Sequence, residues 1–190
     1  MKRTIALTSF LILFALAGFA HTAKSKHPRV HRAARTGTRY VAKPVTPFFA
    51  PDSVSSDGLL NFAQTLLGIR YRASSSDPLR GFDCSGFVSY VFRSFNFIVP
   101  RSSDEFYNVG EKIDINDARP GDVILFTGTK SHHPHSIGHV GIIYALKDGM
   151  LSFIHSTSGK EHGVTISEFS DTYKRRFVQV IRLIKDKASI

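Results

Sequence analysis

The stretch "GFDCSGFVSYVF", residues 81–92, predicts an amphipathic helix that begins at a cysteine. Phe87, Val91 and Phe95 recur four residues apart, which is the spacing of one buried helix face. Cys84 stands about one turn before this apolar stripe, where unpaired backbone N–H groups and the helix dipole favour an anion. Because the thiolate is the nucleophilic form of cysteine, the position suits a reactive thiol.

Cys84 is the only cysteine in the chain of 190 residues. In an exported protein, an odd cysteine indicates either an intermolecular disulfide or a reactive thiol, and a small buried hydrophobic residue is the third possibility. A structural cysteine is expected on the apolar stripe, whereas Cys84 precedes it. Gly86, two residues later, is expected to leave room for a substrate backbone. These features favour the reactive thiol.

The first residues of the chain predict export. Lys2 and Arg3 precede a mostly apolar run over residues 5–16, and the small residues that follow are spaced for cleavage after Ala20. The run is shorter than the about 20 residues that a transmembrane helix needs. We therefore expect a signal peptide at 1–20 and a location in the periplasm, the cell wall or outside the cell. An uncleaved anchor is the alternative.

The positive charge is concentrated between residues 21 and 43. This segment contains seven Lys or Arg and no acid, so that the formal net charge of +10 leaves only +1 for residues 44–190. Residues 21–56 lack a sustained hydrophobic period, which predicts a disordered basic linker. Such a linker binds polyanions or acts as a plain tether. In an exported protein the polyanions are lipid headgroups and wall polymers rather than nucleic acid.

The folded domain is expected at residues 57–187. Ser56 or Asp57 is predicted to cap a first helix, and Gly68 is predicted to end it. The apolar residues of this helix recur at helical spacing: Leu59, Leu60, Ala63, Leu66 and Leu67. Residues 69–82 are predicted to form a loop that leads to the cysteine helix.

After Pro100 the pattern changes from helix to strand. A Pro-Gly turn at residues 120–121 precedes the apolar run 123–126, and the dipeptide at 148–149, Asp-Gly, predicts a hairpin between two further strands. With "GVTIS" and "FVQVIRLI", the sequence predicts about five strands. Helices followed by a mostly antiparallel sheet predict an α+β fold.

Two of the nine histidines lie on the strands of this predicted hairpin. His139 begins the first strand and His155 ends the second, so antiparallel pairing makes them near neighbours. A cysteine nucleophile needs a base, and the base needs an orienting group. His139 and His155 are the candidates for these two roles. The alternative is that both are satisfied histidines of the core or the sheet edge.

Several motifs resemble, in order and spacing, the NlpC/p60 family of cysteine peptidases, which cut cell-wall peptides. These motifs are "LGIRY" (67–71), "FDCSGFV" (82–88), "VPRSS" (99–103), "RPGDVILF" (119–126), "GHVGIIY" (138–144) and "FIHST" (153–157). The closing "TYKRRFVQVIRLI" (172–184) resembles the periplasmic murein endopeptidase branch. The resemblance covers nearly the whole predicted domain, from about residue 59 to residue 184.

The resemblance implies a papain-like α+β fold in which the cysteine helix packs on the antiparallel sheet. It implies that Cys84 is the nucleophile, that His139 is the general base and that His155 orients His139. It also implies that no cofactor or metal is needed. The substrate would be the stem peptide of peptidoglycan or its muropeptides, cut between the γ-carboxyl of D-glutamate and meso-diaminopimelate. Three further positions match family residues that contact substrate or oxyanion: Tyr71, Asp83 and Ser85.

The sequence departs from the family after Tyr71, where members usually show a large residue and then two glycines. Arg72, Ala73, Ser74 and Ser75 follow instead. Because glycine lets a backbone approach a ligand closely, its loss is expected to reshape the cleft wall and to alter the substrate rather than the reaction.

Three histidines in a polar loop, His132, His133 and His135, raise the question of a metal site. No cysteine or carboxylate lies close to them in sequence, and we expect no metal there. Two other functions stay open. One is a related papain-like amidase or acyltransferase, and the other is an inactive scaffold that binds the cell wall.

Overall fold

The computed structural model describes residues 54–129 and 136–185. Three α-helices and eight strands occur in this part of the chain. The helices are α1 (Ser56–Gln64), α2 (Cys84–Arg93) and α3 (Asp171–Lys174), and short 3-10 helices lie at Glu105–Asn108 and Ile115–Asp117. The strands are β1 (Ser76–Asp77), β2 (Gly81–Phe82), β3 (Glu111–Ile113), β4 (Val123–Thr127), β5 (Ile137–Lys147), β6 (Met150–Ser156), β7 (Val164–Glu168) and β8 (Phe177–Arg182).

Six of the strands form one antiparallel sheet in the order β3-β8-β4-β5-β6-β7, and β1 pairs with β2 beside it. The predicted hairpin is present: Lys147 pairs with Met150, and the two turn residues, Asp148 and Gly149, have φ angles of 52° and 75°. Positive φ at both central residues is the signature of the tight turn that Asp-Gly favours. The α+β prediction is confirmed, with six strands in the sheet rather than about five.

The two larger helices begin with side-chain caps. Ser55 accepts a hydrogen bond from the N–H of Gly58, so the cap of α1 is Ser55 and neither Ser56 nor Asp57. The helix ends at Gln64, four residues before the glycine that we expected to terminate it. Leu67 lies beyond this end and is 43% exposed, so its predicted place on the buried face is wrong.

Both faces of the sheet are buried, which explains why β4 is apolar at consecutive positions. Val123 and Leu125 pack in the cluster that contains the buried faces of α1 and α2. Ile124 and Phe126 point to the opposite face, in a second cluster with Phe153. Partly buried side chains pack against that second cluster: Ile115, Phe169, Tyr173 and Phe177. Residues 169–177 therefore cover the face of the sheet that the large helices leave open.

Several sequence-based predictions lie outside the described residues. These are the signal peptide at 1–20, the linker at 21–56 apart from its last three residues, and the loop histidines His132, His133 and His135. Within residues 54–129 and 136–185, no helix is long and apolar enough to cross a membrane.

Candidate active site

Cys84 is the first residue of α2, as the sequence predicts. Asp83 caps the helix in an extended conformation, and its Oδ1 accepts a hydrogen bond of 2.6 Å from the backbone N–H of Gly86. A carboxylate cap of this kind satisfies one of the unpaired N–H groups at a helix start. The cysteine therefore follows directly on a buried, negatively charged cap.

The carboxylate of Asp83 is also held by Arg101 in a bidentate ion pair. Nη1 donates to Oδ1 at 3.0 Å and Nη2 donates to Oδ2 at 2.7 Å. The same Nη1 lies 3.0 Å from the hydroxyl of Ser85. Both residues that flank the cysteine are thus engaged by partners within the chain. The expected contact of Asp83 and Ser85 with substrate stays a prediction.

Gly86 does not leave room for a substrate, and that expectation is corrected. A Cβ at this position would lie 2.1 Å from the carbonyl oxygen of Ser75. The same carbonyl accepts a hydrogen bond of 2.9 Å from the N–H of Asp83. The space beside Gly86 is therefore filled by the loop before β1, which packs its backbone against the start of α2.

The side chain of Cys84 is partly buried and sits beside backbone N–H donors. Burial raises its pKa, and the charge of Asp83 raises it further. Hydrogen bonds from the backbone N–H groups of Ser85 and Val140 act in the opposite direction without cancelling the rise. The contact with Val140 is informative because Val140 follows His139 on β5. It brings the start of α2 to the strand that carries the first histidine.

The two strand histidines form a hydrogen-bonded pair. Nε2 of His139 lies 2.8 Å from Nδ1 of His155, and the rings meet edge to face at a centroid distance of 4.9 Å. Nε2 of His155 lies 3.0 Å from Oγ of Ser167 on β7. His155 is fully buried. The hairpin thus brings the two histidines together, as the strand positions predict.

Both imidazoles are held neutral. Burial lowers the pKa of His139 well below its usual value, and the neighbouring His155 and Arg176 lower it further. Burial also lowers the pKa of His155 to about 4, and Arg176 adds to this effect. At neutral pH the site therefore contains an uncharged thiol and two uncharged imidazoles. His139 is then available as a proton acceptor rather than as an imidazolium.

Tyr71 lies at the same site. Burial raises the pKa of its hydroxyl, and the charges of Cys84 and Asp83 raise it further, so the hydroxyl is close to the start of α2. Its backbone N–H donates to the carbonyl of His162 at 2.8 Å, and the rings of Tyr71 and His162 are 5.8 Å apart. Ser74 in the loop that follows has a φ of 55°. A serine therefore adopts a left-handed conformation in a segment where the family usually has glycines.

Comparison with known proteins finds a family model that matches the part of the chain carrying the quoted motifs. The model of the NlpC/P60 family matches residues 68–182. The chain belongs to the NlpC/P60 family. This match confirms the resemblance seen in the sequence and the expected class of enzyme, a hydrolase of the peptidase type.

Two curated relatives differ in how much of their length the chain covers. A gamma-DL-glutamyl hydrolase of Bacillus subtilis (strain 168) is 36% identical over 135 residues, which are 70% of this chain and 30% of that protein. A protein of Escherichia coli (strain K12) named murein DD-endopeptidase MepS and murein LD-carboxypeptidase is 26% identical over 185 residues. That alignment covers 96% of this chain and 92% of the relative. The chain thus spans less than a third of the first relative and nearly all of the second.

Solved structures of NlpC/P60 proteins share the architecture. A family member from Bacillus cereus ATCC 10987 has a TM-score of 0.61 and 27% identity, over 70% of this chain and 42% of that one. NlpC2 from Trichomonas vaginalis has a TM-score of 0.59 and 29% identity, over 69% of this chain and 47% of that one. The expected α+β, papain-like fold of the NlpC/P60 domain is confirmed.

Some residues of this NlpC/P60 site were not singled out from the sequence. Arg101 lies in the quoted motif "VPRSS" without a predicted partner, and the ion pair with Asp83 joins positions 18 residues apart. Ser167, Tyr173 and Arg176 surround the histidine pair from β7 and from the segment after it. Hydrophobic periodicity carries no signal for them, because they are polar or partly exposed residues.

No metal cluster was found where the structure is described: no group of three or more His, Cys, Asp or Glu side chains is arranged to hold an ion. The described site brings together a thiol, two imidazoles and backbone N–H donors. These groups suffice for nucleophilic attack with general acid–base assistance.

Proposed function

We propose that the chain is a peptidoglycan endopeptidase in which Cys84 is the nucleophile, His139 the general base and His155 the residue that orients His139. The observation that supports this most is the convergence of three groups. The thiol at the start of α2 contacts the backbone of Val140 on β5, and the adjacent His139 is hydrogen-bonded to His155. A nucleophile, a base and an orienting group in this order form a catalytic triad.

The mechanism begins from the neutral pair. His139 accepts the thiol proton as Cys84 attacks the carbonyl carbon of the scissile amide, which forms a tetrahedral intermediate. Backbone N–H groups at the start of α2, with the hydroxyl of Tyr71, stabilise the oxyanion. His139 then gives its proton to the leaving amine, and the C–N bond breaks to leave a thioester. A water molecule activated by His139 hydrolyses the thioester and restores the thiol.

The bond that we propose joins D-glutamate, through its γ-carboxyl, to meso-diaminopimelate in the stem peptide. The name of the B. subtilis relative, a gamma-DL-glutamyl hydrolase, is consistent with a γ-glutamyl bond. The E. coli relative, which matches over nearly its whole length, is named for a DD-endopeptidase and an LD-carboxypeptidase instead. The loop after Tyr71 departs from the family pattern, so the identity of the bond has to be read from products.

We also propose that the protein is exported and acts in the bacterial envelope. The predicted signal peptide at 1–20 and the peptidoglycan substrate agree on this location. The basic segment 21–43 would hold the enzyme near an anionic envelope surface, because seven positive charges without a counter-charge attract polyanions.

The test is digestion of purified peptidoglycan and of soluble muropeptides by the protein without residues 1–20, beside the Cys84→Ala variant. Mass spectrometry identifies the products. New termini between D-glutamate and diaminopimelate, absent with Cys84→Ala, are the expected result. Cleavage elsewhere that still depends on Cys84 would keep the mechanism and move the bond. Binding of the wall by both proteins without cleavage would instead support the scaffold alternative and overturn the enzyme proposal.

A further inference from the structure

We propose that Ser167 is a positioning residue of the active site, which fixes the tautomer of His155 and thereby keeps His139 able to accept a proton. The inference rests on the proposed roles of Cys84 and His139. It adds to them a residue on a different strand, which the triad does not include. One chain of hydrogen bonds links Ser167 to His139 through His155.

The chain of hydrogen bonds runs across three neighbouring strands. Nε2 of His139 on β5 meets Nδ1 of His155 on β6 at 2.8 Å, and Nε2 of His155 meets Oγ of Ser167 on β7 at 3.0 Å. Strand register places these groups together. Phe153 pairs with Ser167 and His155 pairs with Thr165, so Ser167 is diagonal to His155 on the same face of the sheet.

The direction of donation along these hydrogen bonds decides whether His139 can act as a base. A neutral imidazole carries one proton, so one ring nitrogen donates and the other accepts. If Nε2 of His139 donates to Nδ1 of His155, then Nδ1 of His139 keeps a free lone pair for the thiol proton. His155 must then carry its own proton on Nε2 and needs an acceptor there. Ser167 is that acceptor.

The opposite direction would disable the site. If Ser167 donated its hydroxyl proton to Nε2 of His155, then Nδ1 of His155 would donate to Nε2 of His139. The single proton of His139 would lie on Nδ1, and no lone pair would remain for the thiol. One hydroxyl orientation is therefore productive and the other is not.

Tyr173 and Arg176 lie beside these hydrogen bonds, and Arg176 helps to keep both imidazoles neutral. Burial raises the pKa of the Tyr173 hydroxyl, whereas a side-chain hydrogen bond with Ser167 lowers it. A hydroxyl has two acceptor lone pairs and one rotatable proton, so Ser167 can accept from Nε2 of His155 while its own proton points to a neighbouring acceptor such as the Tyr173 oxygen. Arg176, fixed by two hydrogen bonds to the carbonyl of Thr127, opposes protonation of both histidines.

The experiment compares three variants with the wild-type protein. Ser167→Ala removes the acceptor, and Ser167→Thr keeps a hydroxyl on a residue that strands accommodate well. Ser152→Ala is the matched control. Ser152 is a half-buried serine on the neighbouring strand β6, and its hydroxyl bonds only a backbone carbonyl, that of Ala145.

Two readouts are needed, and only one requires a substrate. Long-range ¹H–¹⁵N spectra of the histidine rings report which nitrogen carries the proton, and they are recorded in a Cys84→Ala background. His139→Gln and His155→Gln variants assign the signals among the nine histidines. The second readout is kcat/KM on soluble muropeptides with Cys84 intact.

We expect Nε2–H at both rings in the wild type, and a shift to Nδ1–H at His155 in Ser167→Ala. The rate of Ser167→Ala should fall about 10- to 100-fold, by analogy with the residues that orient metal-binding histidines. Ser167→Thr and Ser152→Ala should match the wild type in both readouts. Retention of the Nε2–H tautomer or of the full rate in Ser167→Ala would overturn the inference. If no wall peptide is cut by the wild type while the tautomers respond as expected, the proposed function fails and the positioning role is supported.

Discussion

At the scale of single residues, the environment of Cys84 favours the thiol over the thiolate. The helix start and its backbone N–H donors stabilise the anion, as the sequence position predicts. Burial and the carboxylate of Asp83 outweigh them and raise the pKa of the thiol. Because the pKa of His139 is lowered at the same time, the resting state is a neutral pair. Proton transfer then accompanies nucleophilic attack rather than preceding it.

The first prediction concerns the charge beside this thiol. Asp83→Asn keeps a side chain that caps helices well but removes the negative charge and the ion pair with Arg101. The pKa of Cys84 should fall, so the rate of alkylation by iodoacetamide at pH 7 should increase severalfold. The single cysteine of the chain makes the measurement unambiguous. Asp114→Asn is the control, because Asp114 also caps a helical turn, at Ile115–Asp117. An unchanged alkylation rate in Asp83→Asn would contradict the electrostatic account.

At the scale of secondary-structure elements, α1 and α2 begin alike but tolerate different changes. In both helices the third residue is glycine, and its N–H donates to the capping side chain. A Cβ on Gly58 would meet only the Ser55 hydroxyl, at 3.1 Å, whereas a Cβ on Gly86 would meet the backbone of Ser75 at 2.1 Å. The glycine of α2 is therefore needed for packing, and that of α1 is not.

This pair of glycines gives the second prediction. Gly86→Ala should lower the free energy of unfolding by about 1–3 kcal/mol, the usual cost of overpacking, and should reduce activity because the loop holds the start of α2. Gly58→Ala, the same change at the same helix position, should be neutral or stabilising by up to about 1 kcal/mol. Urea unfolding of both variants measures the difference. Equal stabilities would show that the loop moves aside without cost.

The elements that sequence reasoning located are those with strong local signals. Asp148 and Gly149 mark the hairpin because few residues adopt two successive positive φ angles. The sequence does not predict β3, because its three residues are mostly polar and exposed and it exists through pairing with the distant β8. The two-residue strands β1 and β2 are too short for a periodic signal, and they correct the prediction of a loop over residues 69–82. The cap of α1 lies one residue before Ser56 and two before Asp57, the two predicted positions, because neighbouring serines give the same local signal.

The residues of the candidate site also differ in whether a local sequence signal predicts them. Cys84, His139 and His155 were found because each lies at the boundary of an apolar segment. Arg101 and Ser167 were not found, because their partners lie 18 and 12 residues away, respectively, and only the fold brings them together. Long-range polar contacts leave no period in the sequence.

At the scale of the whole molecule, the buried histidines link stability to pH. The pKa of His155 is about 4 in the folded protein and near 6.5 when unfolded, so the unfolded chain binds the proton more readily. Folding is favoured fully above pH 6.5, and the stability from His155 is lost as the pH falls from 6.5 towards 4. The loss amounts to about 3 kcal/mol, and His139 acts in the same direction.

The third prediction follows from this linkage. Urea unfolding should show a free energy of unfolding that declines between pH 6.5 and pH 4, and His155→Gln should show a shallower decline. His162→Gln is the control, because His162 is an exposed histidine in a turn. A decline of the same steepness in His155→Gln and in the wild type would mean that other groups control the acid sensitivity.

The fourth prediction concerns the basic segment. Deletion of residues 21–43 removes seven positive charges and should leave kcat/KM on soluble muropeptides unchanged, because the catalytic groups lie at residues 71–167. Binding to insoluble, anionic cell wall at low salt should weaken. Sedimentation with purified wall at two salt concentrations measures the binding. Loss of activity on soluble fragments would contradict the tether role.

The position of β8 in the sheet has a consequence for how the protein is made. This strand is the last of the described strands in sequence, yet it lies inside the sheet and pairs with both β3 and β4. During synthesis, β4 and its apolar residues present an open edge until residue 182 has emerged, and open apolar edges promote aggregation. A premature stop codon or a nick near residue 175 would therefore yield an insoluble chain rather than a weaker enzyme.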